Sequence, residues 1–231
     1  FHLRRPVTRI LREAMPWSLK LAASAILVEA VIGILAGVLS AVRRYSFLDG
    51  LVTVSTSVLV AIPVFWLGLM LQILFGLKLK DTVLGLPISG VSAGWRSFVL
   101  PSITLASVHT AVTARLTRTT MLEVMRQDYI RTASAKGLSR RAVVYRHGLR
   151  NALIPVVTNL GLDFGALIGG AILTETVYSW PGIGREVYLG IIRQDNPLII
   201  GSTIVFVIAF MIVNLVVDIS YAFLDPRIRY A

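Results

Sequence analysis

The chain alternates between long apolar blocks and shorter polar segments, and this pattern predicts membrane spans. Five blocks approach or exceed the ~20 residues that a helix needs to cross a bilayer. They cover residues 17–42, 51–77, 98–119, 151–173 and 197–224. None shows the short, strictly alternating pattern of a barrel strand. The sequence therefore predicts an all-α polytopic membrane protein with five transmembrane helices.

The connections between these blocks differ in character. Residues 1–16 form a basic tail before the first span. Residues 120–150 are polar, basic and compatible with short helices that are separated at Gly137, with Ser139 as a cap for the second helix. Residues 174–196 contain a Trp-Pro-Gly turn that is followed by a short predicted helix.

Composition supports a membrane protein and excludes several soluble classes. Of the 231 residues, 55% are hydrophobic and only 15% are charged, and the mean hydropathy is +0.76. About a quarter of the residues are charged in an average soluble domain. The apolar content excludes disorder, and the absence of Cys excludes a disulfide scaffold. The only His residues are far apart, so we expect no metal site; they are His2, His109 and His147.

The net charge is +11, and the distribution of Lys and Arg indicates which side of the membrane each segment occupies. Nine of the 23 basic residues lie between the third and fourth predicted spans or at their borders. Cytoplasmic segments carry an excess of Lys and Arg. We therefore expect residues 120–150 and 225–231 to be cytoplasmic, and residues 1–16 and 174–196 to be extracytoplasmic.

The most informative motif lies in the long basic segment. RTASAKG (131–137), followed by LRNALIP (149–155), resembles the cytoplasmic loop of the MetI-like permeases of binding-protein-dependent ABC importers. An Arg stands where the sugar importers have an acidic residue, and the spacing from the Gly to the Pro is longer than theirs. Both departures are typical of the dipeptide, oligopeptide and nickel branch, whose form Tyr-x-Arg-Thr-Ala-x-Ala-Lys-Gly-Leu is present at 129–138.

Three further stretches resemble the same branch, so the resemblance covers nearly the whole chain. GGAILTETVYSWPGIGR (169–185) is similar to its extracytoplasmic loop, LREAMPWSLKLA (11–22) to the start of its second span, and DPRIR (225–229) to its C-terminus. The family has six spans. The resemblance therefore implies that the first span is missing from this chain.

The resemblance implies a permease subunit of an ATP-driven, binding-protein-dependent importer, which forms half of the translocation path for di- or oligopeptides across the inner (cytoplasmic) membrane of a bacterium or archaeon. The implied partners are a second homologous permease, two ATPase subunits and an extracytoplasmic substrate-binding protein. ATP and Mg would be bound by the ATPase subunits. We expect this chain to bind no cofactor and to catalyse no reaction, because it has no Gly-x-x-x-x-Gly-Lys-Ser/Thr loop.

Other functions remain open at this point. Nickel, glutathione or another small solute is an alternative substrate within the same branch. An ATP-independent channel or ion-coupled carrier is an alternative of another class, but a carrier of that kind predicts a matched inverted repeat, which we do not find in the sequence. A membrane anchor for a cytoplasmic enzyme would not need Gly-rich packing faces. Nucleic acid is not expected as a partner, because stacking aromatics are scarce in the basic segment.

The resemblance also assigns roles to two polar segments. Docking to an ATPase is implied for Tyr129, Arg131, Thr132, Ala133, Ser134, Ala135, Lys136, Gly137, Leu138 and Ser139. Without the resemblance, this segment would be interpreted as a basic loop that only fixes topology. A gate loop on the outside is implied for Trp180, Pro181, Gly182 and Gly184, and the alternative for the aromatic residue is an interfacial anchor.

The fourth predicted span carries two further groups of candidate residues. Asp163, with Asn159 one turn away, is costly in a bilayer and is expected to face the bundle interior or water. It either lines the translocation path or is a structural partner of another helix. Gly161, Gly165 and Gly169 are spaced by four residues, which favours close helix packing over a moving gate.

Overall fold

The computed structural model describes residues 6–224, and every regular element in that range is helical. The α-helices are α1 (Val7–Val42), α2 (Phe47–Ala61), α3 (Val64–Leu71), α4 (Arg96–Val124), α5 (Asp128–Ala135), α6 (Arg140–Ala142), α7 (Arg150–Val177), α8 (Ile183–Ile192) and α9 (Asn196–Leu224). Two π-helical segments, Gln72–Lys78 and Val143–Leu149, follow α3 and α6. The DPRIR motif and the predicted cytoplasmic end (225–231) lie outside the described residues.

Within the described residues, four helices are long and apolar enough to cross a membrane, and an interrupted pair provides a fifth candidate. The four are Val7–Val42, Arg96–Val124, Arg140–Gly169 and Asn196–Val216, and the pair is Phe47–Ala61 with Val64–Lys78. The predicted all-α polytopic fold is confirmed, with five candidate spans when the pair is counted as one. The short helices α5 and α6 lie in the long segment between the third and fourth spans.

The second predicted span is not one continuous helix. The helix α2 ends at Ala61, and Ile62 then adopts an extended backbone with ψ of 127°. Pro63 precedes the first residue of α3. Proline has no N–H to donate and disfavours the helical conformation of the residue before it, so the helix stops at this point. The π-helical segment after α3 was not part of the sequence prediction.

The first helix is longer than predicted. The sequence pattern placed its start at residue 17 after a tail, but α1 begins at Val7. Its first turns are amphipathic enough to be buried on one side: Leu11 and Ala14 pack with Ile183 and Val187 of α8 in an apolar cluster. This packing stabilises helical structure in a stretch whose charged residues suggested a tail.

The described residues form two compact units. One contains residues 6–26, 63–106 and 161–224, and the other contains residues 27–62 and 107–160. We refer to them as the outer unit and the inner unit, because the first contains the predicted gate loop and the second contains the predicted docking segment.

Close contact between α1 and α4 holds the inner unit together. A Cβ atom at Gly33 would lie 2.9 Å from Cγ2 of Thr113, and one at Gly37 would lie 2.6 Å from the carbonyl oxygen of Ala114. Small residues at a four-residue spacing allow two helix backbones to approach in this way. The apolar residues Val38 and Ala41 continue the packing toward the end of α1.

Candidate functional site

The predicted docking segment folds as two short helices around a glycine. The helix α5 ends at Ala135, and Gly137 then has a φ of +77°, a left-handed conformation that glycine adopts without a steric cost. The Ser139 hydroxyl accepts a hydrogen bond from the N–H of Ala142 at 3.3 Å and caps α6. We call residues 120–150 the coupling segment.

The coupling segment has a buried inner face and an exposed outer face. Ile130 and Ala133 pack on Val143 in a small apolar cluster. The structure therefore places Ala133, one of the predicted docking residues, on the inner face and not on a surface that a partner could contact. The other nine are exposed: Tyr129, Arg131, Thr132, Ser134, Ala135, Lys136, Gly137, Leu138 and Ser139.

The inner face is fixed to the ends of the long helices of the inner unit. Val144 packs with Val38 of α1, Met121 of α4 and Ala152 of α7. Asn151, at the start of α7, donates hydrogen bonds to the Tyr129 hydroxyl at 3.1 Å and to a backbone carbonyl at 2.9 Å. The coupling segment is therefore in direct contact with three helices of the inner unit.

A buried ion pair supports the same region, and the sequence analysis did not find it. Arg118 of α4 donates two hydrogen bonds to the carboxylate of Asp49, at 2.7 and 2.8 Å. The carboxylate also accepts from the Ser40 hydroxyl and from the Tyr45 N–H. The Asp49 side chain is only 6% exposed. Four donors thus converge on one acid and connect α1, the α1–α2 turn, α2 and α4.

The predicted gate residues belong to a turn between α7 and α8, in the outer unit. We call residues 178–182 the Trp180 turn. The Trp180 side chain is completely buried, and its ring packs edge-on against Phe98 and Trp17 with centroid distances of 4.7 and 5.9 Å. Its indole N–H donates to the Trp17 carbonyl at 3.1 Å. Trp180 is therefore a core residue of this unit, which excludes the role of an interfacial anchor in this structure.

Hydrogen bonds and close contacts also fix the residues next to Trp180. Tyr178 donates to the Gly68 carbonyl at 3.1 Å, so the Thr104 hydroxyl is the donor in the 2.9 Å bond between these two side chains. Ser179 has a φ of +48°, a conformation that is uncommon for a residue other than glycine. The surrounding contacts stabilise this strained backbone.

An acid that the sequence analysis overlooked lies beneath the turn. Glu175 is fully buried, and it lies two residues beyond the predicted fourth span, 151–173. Its carboxylate accepts a hydrogen bond from the Ser18 hydroxyl at 2.6 Å and another from the Arg185 N–H at 3.1 Å. Burial raises the pKa of Glu175 to about 7, although these hydrogen bonds act in the opposite direction.

The candidate residues of the fourth span are less tightly grouped. Asn159 is half-buried and its amide approaches the Thr113 hydroxyl at 3.5 Å, within the inner unit. Asp163 is half-buried. A Cβ at Gly165 would lie 2.7 Å from the Asn214 side chain of α9, whereas a Cβ at Gly169 would meet no atom within 4 Å. Close packing is thus present at Gly165 and absent at Gly169 in this structure.

The long apolar helices describe a polytopic membrane protein, and the coupling segment is packed on the ends of three of them. The family model described as binding-protein-dependent transport system inner membrane component matches residues 33–230. The chain belongs to this family. It is therefore an inner-membrane permease component of a binding-protein-dependent transport system, as the sequence motifs predicted.

Two relatives illustrate the similarity within the family. The chain is 39% identical to the dipeptide transport system permease protein of Alkalihalophilus pseudofirmus, over 96% of this chain and 74% of the relative. It is 40% identical to the glutathione transport system permease protein of Escherichia coli, over 98% of this chain and 72% of the relative. Both similarities agree with the peptide and nickel branch that the motif at 129–138 indicated.

A solved structure supports the fold independently. The inward-facing MetNI methionine ABC transporter contains a chain that superimposes on this one with a TM-score of 0.77, over 96% of this chain and 99% of the other. The sequence identity is 17%, so the comparison supports the helical architecture alone.

Proposed function

We propose that this chain is one of two permease subunits of an ATP-driven importer, and that the exposed face of the coupling segment docks on a partner ATPase. The observation that carries the proposal is the two-sided construction of that segment. Nine exposed residues between 129 and 139 are available to a partner. On the other side, Ile130 and Ala133 pack on Val143, and the adjacent Val144 packs against the ends of α1, α4 and α7. Such a connection is what transmission of ATPase closure requires.

The partner subunits follow from this proposal. A second homologous permease completes the translocation path, and an extracytoplasmic binding protein delivers the substrate. In this proposal ATP and Mg bind to the two ATPase subunits, because the sequence of this chain has no Gly-x-x-x-x-Gly-Lys-Ser/Thr loop. The coupling segment and the C-terminus then face the cytoplasm, and the Trp180 turn faces the outside, where Trp180, Pro181, Gly182 and Gly184 form the gate loop.

The substrate class that we propose is di- or oligopeptides. One relative is named for dipeptide transport and another for glutathione transport. Glutathione is itself a peptide-like solute, so it is the second candidate. Inside the membrane, we propose Asp163 and Asn159 as residues of the translocation path. Placing an acid in a span costs free energy, and a half-buried acid at such a position is therefore a functional candidate.

The experiment is affinity purification of the full-length protein in mild detergent, together with the subunits that are encoded beside it. The wild-type protein is expected to retain an ATPase and a second permease. The Gly137→Val variant must place a β-branched residue at a φ of +77°, which costs on the order of 1–3 kcal/mol. We expect the retained ATPase to fall about tenfold or more.

Gly94→Val is the matched control. Gly94 also has a positive φ, of 60°, and also faces open space, but it lies in the loop before α4. It is expected to retain the ATPase at the wild-type level. A wild-type protein that purifies without any ATPase, or a Gly137→Val variant that retains and couples it normally, would contradict docking.

In the reconstituted complex, Asp163→Asn is expected to lower transport; unchanged transport would leave Asp163 a structural role.

A further inference from the structure

The carboxylate of Glu175 occupies the centre of a closed network between α1, α7 and α8. The Ile183 N–H donates to the Ser18 hydroxyl at 2.9 Å, and Ser18 donates its own hydrogen bond to Glu175 at 2.6 Å. The Arg185 N–H donates to the second carboxylate oxygen at 3.1 Å. The first residues of α8 are therefore connected to α1 through one carboxylate.

The position of the Glu175 carboxylate explains why residues 182 and 184 are glycines. A Cβ atom at Gly182 would overlap the Glu175 carboxylate, and one at Gly184 would lie 2.9 Å from it and 2.7 Å from the Ile172 backbone. Neither position accepts a side chain unless Glu175 or α7 moves. The Pro-Gly-Ile-Gly sequence after Trp180 thus matches the space that the buried acid leaves.

We propose that Glu175 is a positioning residue that holds the Trp180 turn and the start of α8 against α1. The backbone N–H groups at the start of α8 need acceptors, and Ser18 and Glu175 supply them. Loss of the acid leaves the Arg185 donor and the Ser18 hydroxyl without their partner. Release of this end of α8 exposes Ile183, which is fully buried when the network is intact.

The chain contains no Cys, so a single introduced thiol reports this release directly. The reporter is Ile183→Cys in the full-length protein in membrane vesicles, and the measured quantity is its rate of reaction with a water-soluble maleimide. Glu175→Met removes both acceptor oxygens at similar length, and Ser18→Ala removes the bridging hydroxyl. Glu175→Gln keeps one acceptor oxygen and is the conservative variant. This measurement requires neither an ATPase nor a substrate, so its outcome is separate from that of the proposed function.

We expect the labelling rate to rise about tenfold or more in Glu175→Met and in Ser18→Ala, because a hydrogen bond to a buried acid stabilises the closed state by that order. Glu175→Gln is expected to lie between these variants and the wild type. Glu186→Gln, on the same helix, is expected to leave the rate unchanged. A second reporter at the exposed Tyr188, as Tyr188→Cys, should react equally in every variant and shows that the fold is intact.

The proposal is overturned if Ile183→Cys reacts at the wild-type rate in both Glu175→Met and Ser18→Ala. It is also overturned if Glu186→Gln raises the rate as much as Glu175→Met does, because the effect would then not depend on the network. If Glu175→Met does not insert into the membrane, Ser18→Ala alone decides, since it preserves the carboxylate and changes only one hydroxyl.

Discussion

At the scale of single residues, Glu175 shows how burial and hydrogen bonding compete for one proton. Removal from water favours the neutral acid, while the Ser18 hydroxyl and the N–H groups of Gly184 and Arg185 favour the carboxylate. The nearby charge of Glu186 also favours the neutral form. Burial is the largest of these effects, so the pKa of Glu175 in the folded protein is about 7, above its ordinary value of 4.5.

This raised pKa predicts that the protein becomes less stable as the pH increases from 5 to 8. Below pH 4.5 the acid is protonated in both the folded and the unfolded chain, so its full contribution to stability is present. Between 4.5 and about 7 the unfolded chain ionises first, and the free energy of unfolding falls by up to about 3 kcal/mol. Thermal unfolding of the purified protein at several pH values measures this change.

Glu175→Gln provides the comparison, because an amide does not titrate. The variant should show a weaker dependence on pH between 5 and 8, because the contributions of all other groups are common to both proteins. Identical pH profiles for the two proteins would show that Glu175 does not titrate in this range.

At the scale of elements, local sequence rules for turns and caps predicted the structure of the coupling segment well. They did not predict contacts between residues that are far apart in the sequence. The turn at Gly137 and the cap at Ser139 follow from residue type within a few positions, and both are present. The pairing of Arg118 with Asp49 joins residues that are 69 positions apart. A single sequence gives no sign of such a pair, because neither residue has an unusual neighbour. The stop at Ile62 follows from Pro63 by the same local rules.

The Arg118–Asp49 pair predicts a large difference between two neighbouring arginines of α4. Arg118→Ala leaves the buried Asp49 carboxylate without its cation, and the free energy of unfolding should fall by about 2–3 kcal/mol, since Arg118 itself is 27% exposed. Arg115 lies almost one turn earlier and is exposed, so Arg115→Ala should change the free energy of unfolding by less than about 0.5 kcal/mol. Thermal unfolding in one detergent compares them, and equal unfolding temperatures would contradict the role assigned to the pair.

At the scale of the whole molecule, the apolar pattern and the ordered motifs were sufficient for the fold class and the family. Blocks of about 20 apolar residues leave few alternatives to membrane helices, and the family match over residues 33–230 agrees. What the pattern did not predict is the interior of the outer unit. Ser18 and Glu175 are 157 positions apart, and the interfacial anchor stayed an alternative for Trp180 because sequence alone does not distinguish a buried Trp from an anchored one.

The membrane topology is a property of the whole molecule, and Cys labelling at three exposed positions is sufficient to test it. Tyr45 is 81% exposed between α1 and α2, Trp95 is 76% exposed just before α4, and Leu138 is 43% exposed in the coupling segment. Each is replaced by Cys in the Cys-free chain and treated with an impermeant maleimide in intact cells and after permeabilisation. Five spans with the coupling segment inside predict that Trp95→Cys reacts in intact cells, and that Tyr45→Cys and Leu138→Cys react only after permeabilisation.

The Tyr45 position also determines whether the interrupted pair crosses the membrane. If α2, α3 and the π-helical segment Gln72–Lys78 together form one span, Tyr45 and Trp95 are labelled from opposite sides. If the break at Pro63 instead returns the chain to the side from which it entered, Tyr45→Cys reacts in intact cells together with Trp95→Cys. Leu138→Cys that reacts in intact cells would contradict docking on a cytoplasmic ATPase, because the coupling segment would then lie outside the cell.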